Sequence, residues 1–197
     1  MLKWAREHGC PWVEVDEGDS DIIMNCCACA ALGGHLEVLK WLRQHDCPWD
    51  EGTCAWAAAN GHLELLKWAR EHGCPWEEDI AESNKDCCAH SAAGGHLEVI
   101  MWLREQGCPW GERTCASAAE GDLEVLKWAR EHGCPWVDED DAEYSMNCCT
   151  CAAMGGHLEV LKWLREQDCR WDARTRQLAE QQGHLELLQW AVEHGAP

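Results

Sequence analysis

Apolar and polar positions alternate along this chain with the 3.6-residue beat of amphipathic helices. In the stretch His62–Arg70, apolar residues fall at 63, 65, 66, 68 and 69, a helical stripe and not the period of a strand. Glu64 stands in the first turn, where negative charge suits the positive end of the helix dipole, and Glu64 and Lys67 are spaced to pair on the exposed face. The stripe ends at His72-Gly73-Cys74-Pro75, glycine serving the left-handed residue after a helix and proline blocking continuation. A second kind of segment is built from small residues, as in Thr53–Ala59 and Cys148–Ala153, with Thr53 and Asn147 as N-caps. The pattern predicts a small-residue helix A, a tight Gly turn, an amphipathic helix B and a connection, with no strand.

This unit recurs. His35–Trp49 reads HLEVLKWLRQHDCPW, and near copies follow at His62, His96, Asp122, His157 and His184. The opening Met1–Trp12 is the same unit without its helix A. Self-similarity at a fixed period is the signature of a repeat array. Connections alternate in length: His35, His96 and His157 are each 61 residues apart, so a longer connection recurs at every second unit. Asp46 and Asp168 replace the glycine after helix B in two units, a strained choice. Helix pairs are expected at about 25–45, 53–72, 86–106, 114–132, 147–167 and 174–194, after an orphan N-terminal helix. Residues 1–197 then form one all-α solenoid of stacked antiparallel pairs.

The string from Thr53 to Trp76, and above all Gly61-His62-Leu63-Glu64 with Ala57-Ala58 and His72-Gly73, resembles an ankyrin repeat. The resemblance covers essentially the whole chain. It implies an ankyrin-like solenoid that binds other proteins. The units depart from the family in length, 26–27 or 34–35 residues instead of about 33. They also lack the Thr-Pro-Leu-His opening and carry Cys-Pro-Trp where the family tends to have Ala-Asp-Val. The short units are expected to lack the projecting hairpin finger, and the long ones to replace it with an acidic loop.

Composition sharpens this picture. Thirteen of the fourteen Trp occupy two positions of the unit, one in helix B and one in the connection, so repetition explains the count. The helix B set is Trp4, Trp41, Trp68, Trp102, Trp128, Trp163 and Trp190. These are read as filling between repeats, and Trp102→Ala or Trp128→Ala is then expected to cost about 3–5 kcal/mol. The sixteen Cys follow the same spacing and read as structural thiols of a reducing compartment. Equivalent cysteines in neighbouring repeats lie about 8–10 Å apart, too far for a disulfide ladder. No run of apolar residues is long enough to span a membrane. With no leader at the start, the chain reads as intracellular and by default cytoplasmic.

The net charge of −20 argues against a nucleic-acid backbone or an anionic membrane as partner. It favours another protein with a basic surface. The acid concentrates in connections at about 13–24, 77–86 and 137–147. The partner-binding candidates are Glu14, Asp16, Glu17, Asp19 and Asp21, then Glu77, Glu78, Asp79 and Glu82, then Asp138, Glu139, Asp140, Asp141 and Glu143.

An alternative is a metal-binding module: Cys87, Cys88, His90 and His96 offer ligands, and Cys26/Cys29 and Cys148/Cys151 share a helix face at i, i+3. Another is a structural subunit inside a larger assembly. No nucleophile–base set, phosphate loop or isolated carboxylate pair stands apart from the repeat, so neither catalysis nor a cofactor is expected.

Overall fold

The structure, a computed structural model, describes residues 25–76, 86–135 and 147–196. Among these residues there are twelve helices and no strand. They alternate as A and B: α1 Cys26–Leu32, α2 Leu36–Gln44, α3 Glu51–Ala59, α4 Leu63–Glu71, α5 Cys87–Ala93, α6 Leu97–Glu105, α7 Glu112–Ala119, α8 Leu123–Glu131, α9 Cys148–Gly155, α10 Leu158–Glu166, α11 Ala173–Gln181 and α12 Leu185–Glu193. The orphan first helix and the three acidic connections fall outside the described residues.

Residue size sets how the pairs stack. Each A helix packs on its own B helix and on the next A helix, through buried Ala and Cys such as Ala57, Ala58, Cys88 and Ala118. Small side chains let helices approach to the lower end of the roughly 8–10 Å packing range. Successive B helices make no comparably close contact. Between them lie Leu and Trp: Leu39, Leu66, Ile100, Leu126 and Leu161 are fully buried, and the tryptophans sit half-buried outside them. The stack therefore fans, with A helices on its inner side and B helices on its outer side.

The turn between A and B is a staple between neighbouring units. His62 Nε2 meets the Leu32 carbonyl at 3.1 Å, His96 meets Ala59 at 3.1 Å, and His184 meets Met154 at 3.0 Å. Each ring thus reaches the end of the preceding A helix, and it lies directly over a left-handed glycine there. A Cβ on Gly61 (φ +71°) would stand 2.7 Å from the His96 ring. The Asp122 carboxylate takes the ring's place over Gly95, and its side chain caps Val125 N at 2.8 Å.

One expectation shifts. Thr53 is not an N-cap: α3 begins at Glu51 with Asp50 as its cap residue, and Thr53 is fully buried inside the first turn. Asn147 does cap, accepting from Thr150 N at 2.9 Å. Asp46 and Asp168 both adopt φ 58°, confirming that they occupy the strained left-handed position after helix B.

Gly61 and Gly73 share a left-handed backbone (φ +71° and +82°), but nothing lies within 4 Å of a Cβ added at Gly73. Gly73→Ala should therefore cost only the backbone strain, about 1–2 kcal/mol. Gly61→Ala should cost a further ~1–3 kcal/mol for displacing the histidine. Urea titrations of the two variants check the difference; equal losses would remove the staple's contribution.

Candidate functional site

The fourteen acidic candidates all lie outside the described residues, and the structure describes only where their connections rejoin the stack. Asn25, Asp86 and Asn147 end the three connections, 61 residues apart, and each caps the following A helix. Their side chains accept from Ala28 N at 2.8 Å, Ala89 N at 3.0 Å and Thr150 N at 2.9 Å. Asp86 is 2% exposed. Burial pushes its carboxyl above the usual carboxylate range, against the lowering by the Ala89 N–H bond.

The Cys/His candidates are not brought together. Cys87 and Cys88 are buried beside Cys108, whereas His90 turns its Nδ1 to the Asp86 carbonyl at 2.7 Å and sets its ring edge-on to Trp56. His96 is engaged with Ala59 of the preceding unit. Among the described residues no three His, Cys, Asp or Glu side chains are grouped so as to hold a metal ion. The i, i+3 pairs also differ: Cys148 and Cys151 are buried, while Cys26 is half-buried and Cys29 exposed.

The cysteine after each B helix instead meets a thiol of its own unit. Cys27 points its Sγ at the Cys47 carbonyl at 3.9 Å, and Cys115 and Cys149 do the same to Cys134 and Cys169. Hydrogen bonds to Cys108, followed by burial, hold Cys87 and Cys88 in the thiol form. Burial, with the Glu120 charge next, pushes the Cys151 thiol up to about 12. Thiols in this state are poor nucleophiles, and their place is the core.

The outer face carries a feature that single units do not reveal. Four helix B arginines fold over the connection tryptophan of their own unit: Arg43 over Trp49 at 4.3 Å, Arg70 over Trp76 at 3.6 Å, Arg104 over Trp110 at 4.3 Å and Arg165 over Trp171 at 4.5 Å. The same guanidinium donates to the carbonyl of the intervening cysteine, Arg70 to Cys74 at 2.6 Å and Arg43 to Cys47 likewise. That bond clamps the turn. These four connection tryptophans then meet the helix B tryptophan of the next unit edge to face, with ring centres 6.1 Å apart for Trp49–Trp68, 6.4 Å for Trp76–Trp102, 5.8 Å for Trp110–Trp128 and 6.0 Å for Trp171–Trp190. His72, His132 and His194 stack on the helix B ring at 4.1–4.3 Å. The Trp-x-Arg and Cys-Pro-Trp spacing held this signal, but the pairing crosses from one unit to the next.

With that geometry in hand, comparison with known proteins defines the class. Residues 114–165 match the family described as ankyrin repeats (many copies). The fold of the described array is that of an ankyrin-repeat domain. Among solved structures, the ankyrin repeat domain of human ASB11 superposes with a TM-score of 0.64 at 16% sequence identity, covering 88% of this chain and 85% of that one. No curated protein sequence matches the chain. Among the described residues, no helix is long and apolar enough to cross a membrane.

Two measurements follow. The tryptophans of helix B are half-buried, so Trp128→Ala should cost about 2–3 kcal/mol by lost area, below the 3–5 expected of a fully buried ring. Denaturant unfolding of the variant distinguishes the two figures. Asp86→Asn keeps the cap, as Asn25 and Asn147 do. A carboxyl raised in the fold contributes stability below its unfolded pKa and loses it as pH rises through the folded value. The variant should therefore be more stable than the parent near neutral pH, and its advantage should vanish as pH falls through the carboxylate range. A gain independent of pH would exclude burial of charge as the cause.

Proposed function

We propose that this chain is a non-catalytic scaffold whose partner presents a basic surface, and that the partner engages the acidic connections and the neighbouring repeat surface. The observation that carries this reading is the distribution of charge. Fourteen carboxylates crowd into the three long connections at positions 14–21, 77–82 and 138–143, and those three segments contain no Lys or Arg. The connections rejoin the stack at Asn25, Asp86 and Asn147, equivalent caps of successive long units. Such a row offers a basic partner several contacts in register. Successive caps stand two repeats, or roughly 16–20 Å, apart, beyond the ~8 Å Debye length at physiological salt.

The test is capture of partners on the immobilised chain, followed by a salt gradient. Retention should fall steeply with salt, and it should be lost when the fourteen acidic residues are changed to Asn and Gln. Unaltered retention by that variant would show that the partner sits elsewhere.

A further inference from the structure

The first described unit differs from its counterparts in how its thiols meet solvent. Helices α1, α5 and α9 follow the three long connections, and each opens on adjacent cysteines: Cys26-Cys27, Cys87-Cys88 and Cys148-Cys149. A third cysteine comes after the B helix of the same unit, at Cys47, Cys108 and Cys169. In the two later units all three are buried. In the first unit Cys27 and Cys47 are buried, but Cys26 is half-buried, and Cys29 one turn on is exposed.

Cys26 nevertheless reaches inward. The Cys47 thiol is in hydrogen-bond contact with the thiols of both Cys27 and Cys26. The Cys27 Sγ also lies 3.9 Å from the Cys47 carbonyl, which sets α1 against the turn after α2. That turn is held in place, because Arg43 donates to the same carbonyl and lies over Trp49. Cys26 therefore connects solvent to a buried thiol whose position is fixed. Burial pushes the Cys47 thiol up, while its contact with Cys27 and the Arg43 charge pull it back down.

An accessible thiol poised beside a second one is the arrangement in which oxidation ends in a disulfide instead of a higher oxide. We propose that Cys26 and Cys47 form a redox modification site, in which Cys26 is the thiol that a hydroperoxide oxidises and Cys47 is the thiol that resolves it. The peroxide O–O bond breaks, giving water or an alcohol and a sulfenic acid on Cys26. The Cys47 sulfur then attacks the Cys26 sulfur, and the Cys47 proton leaves with the displaced hydroxide as water. The two electrons lost by the thiol pair are the two gained by the peroxide. The new bond ties the residue after the Asn25 cap to the turn ahead of Trp49, closing α1 and α2 into one loop. A thiol reductant reverses it by exchange.

Mass spectrometry of the purified chain tests this. The reduced protein is treated with hydrogen peroxide, its remaining thiols are alkylated under denaturing conditions, and the digest is read without reduction. The expected product is a peptide pair joined through Cys26 and Cys47, short of two hydrogens and released by dithiothreitol. Cys88 and Cys108 should be recovered alkylated at the same exposure, since their unit offers the oxidant only buried thiols. Cys26→Ser should abolish the bond, and Cys29→Ser should leave it unchanged. Cys47→Ser should leave the sulfenic acid on Cys26, where dimedone captures it. If Cys47→Ser, at a buried position, fails to fold, the peptide map of the parent chain decides alone. Four results would each overturn the proposal. They are a Cys26–Cys29 bond in place of Cys26–Cys47, equal closure at Cys88–Cys108, a Cys27–Cys47 bond that forms as fast in Cys26→Ser, and the absence of any internal disulfide.

Discussion

Close approach of the A helices is the constraint on which the rest of the stack depends. Alanine and cysteine at positions such as Ala57, Ala58, Cys88 and Ala118 leave no bulk between successive helices, so the backbones set the spacing. A larger side chain there has nowhere to go in a close-packed interior. Once the inner helices are pinned, the outer helices must separate, and the space between them is filled in two layers: buried Leu and Ile beneath, and half-buried Trp above.

The histidine that opens α4, α6 and α12 converts this packing into an ordered array. It spends one ring nitrogen on the preceding unit and covers a glycine whose conformation only a residue without Cβ adopts easily. Register between units is thereby set by a directional bond as well as by shape. The arginine does the equivalent within a unit, holding the Cys-Pro-Trp turn so that its indole meets the next helix. Stability in such an array is a sum of units and of interfaces between neighbours.

Local chemistry was the legible part of the sequence. The helix types, the glycine turns, the left-handed Asp46 and Asp168, and the Asn147 cap all follow from residues within a few positions of one another. Thr53 misled because Thr-Cys-Ala looks like a helix start. The helix actually takes in Glu51 and Gly52 first and buries the threonine. Contacts between units were not legible. Periodicity puts Trp68 on the apolar stripe but cannot say that Trp49 of the preceding unit leaves its ring half in solvent. Nor could spacing tell whether Cys87 and Cys88 turn toward His90 or toward Cys108, since that depends on where the following connection folds back. The fourteen acidic candidates were legible as charge alone.

The edge-to-face indole pairs have an optical consequence. Rings 5.8–6.4 Å apart in fixed mutual orientation couple their electronic transitions. Because each pair draws one ring from each of two adjacent units, the resulting exciton band measures seams and not helices. Loss of that band ahead of the amide signal would reveal units parting while still individually folded, giving the array a built-in spectroscopic gauge of how its members come undone.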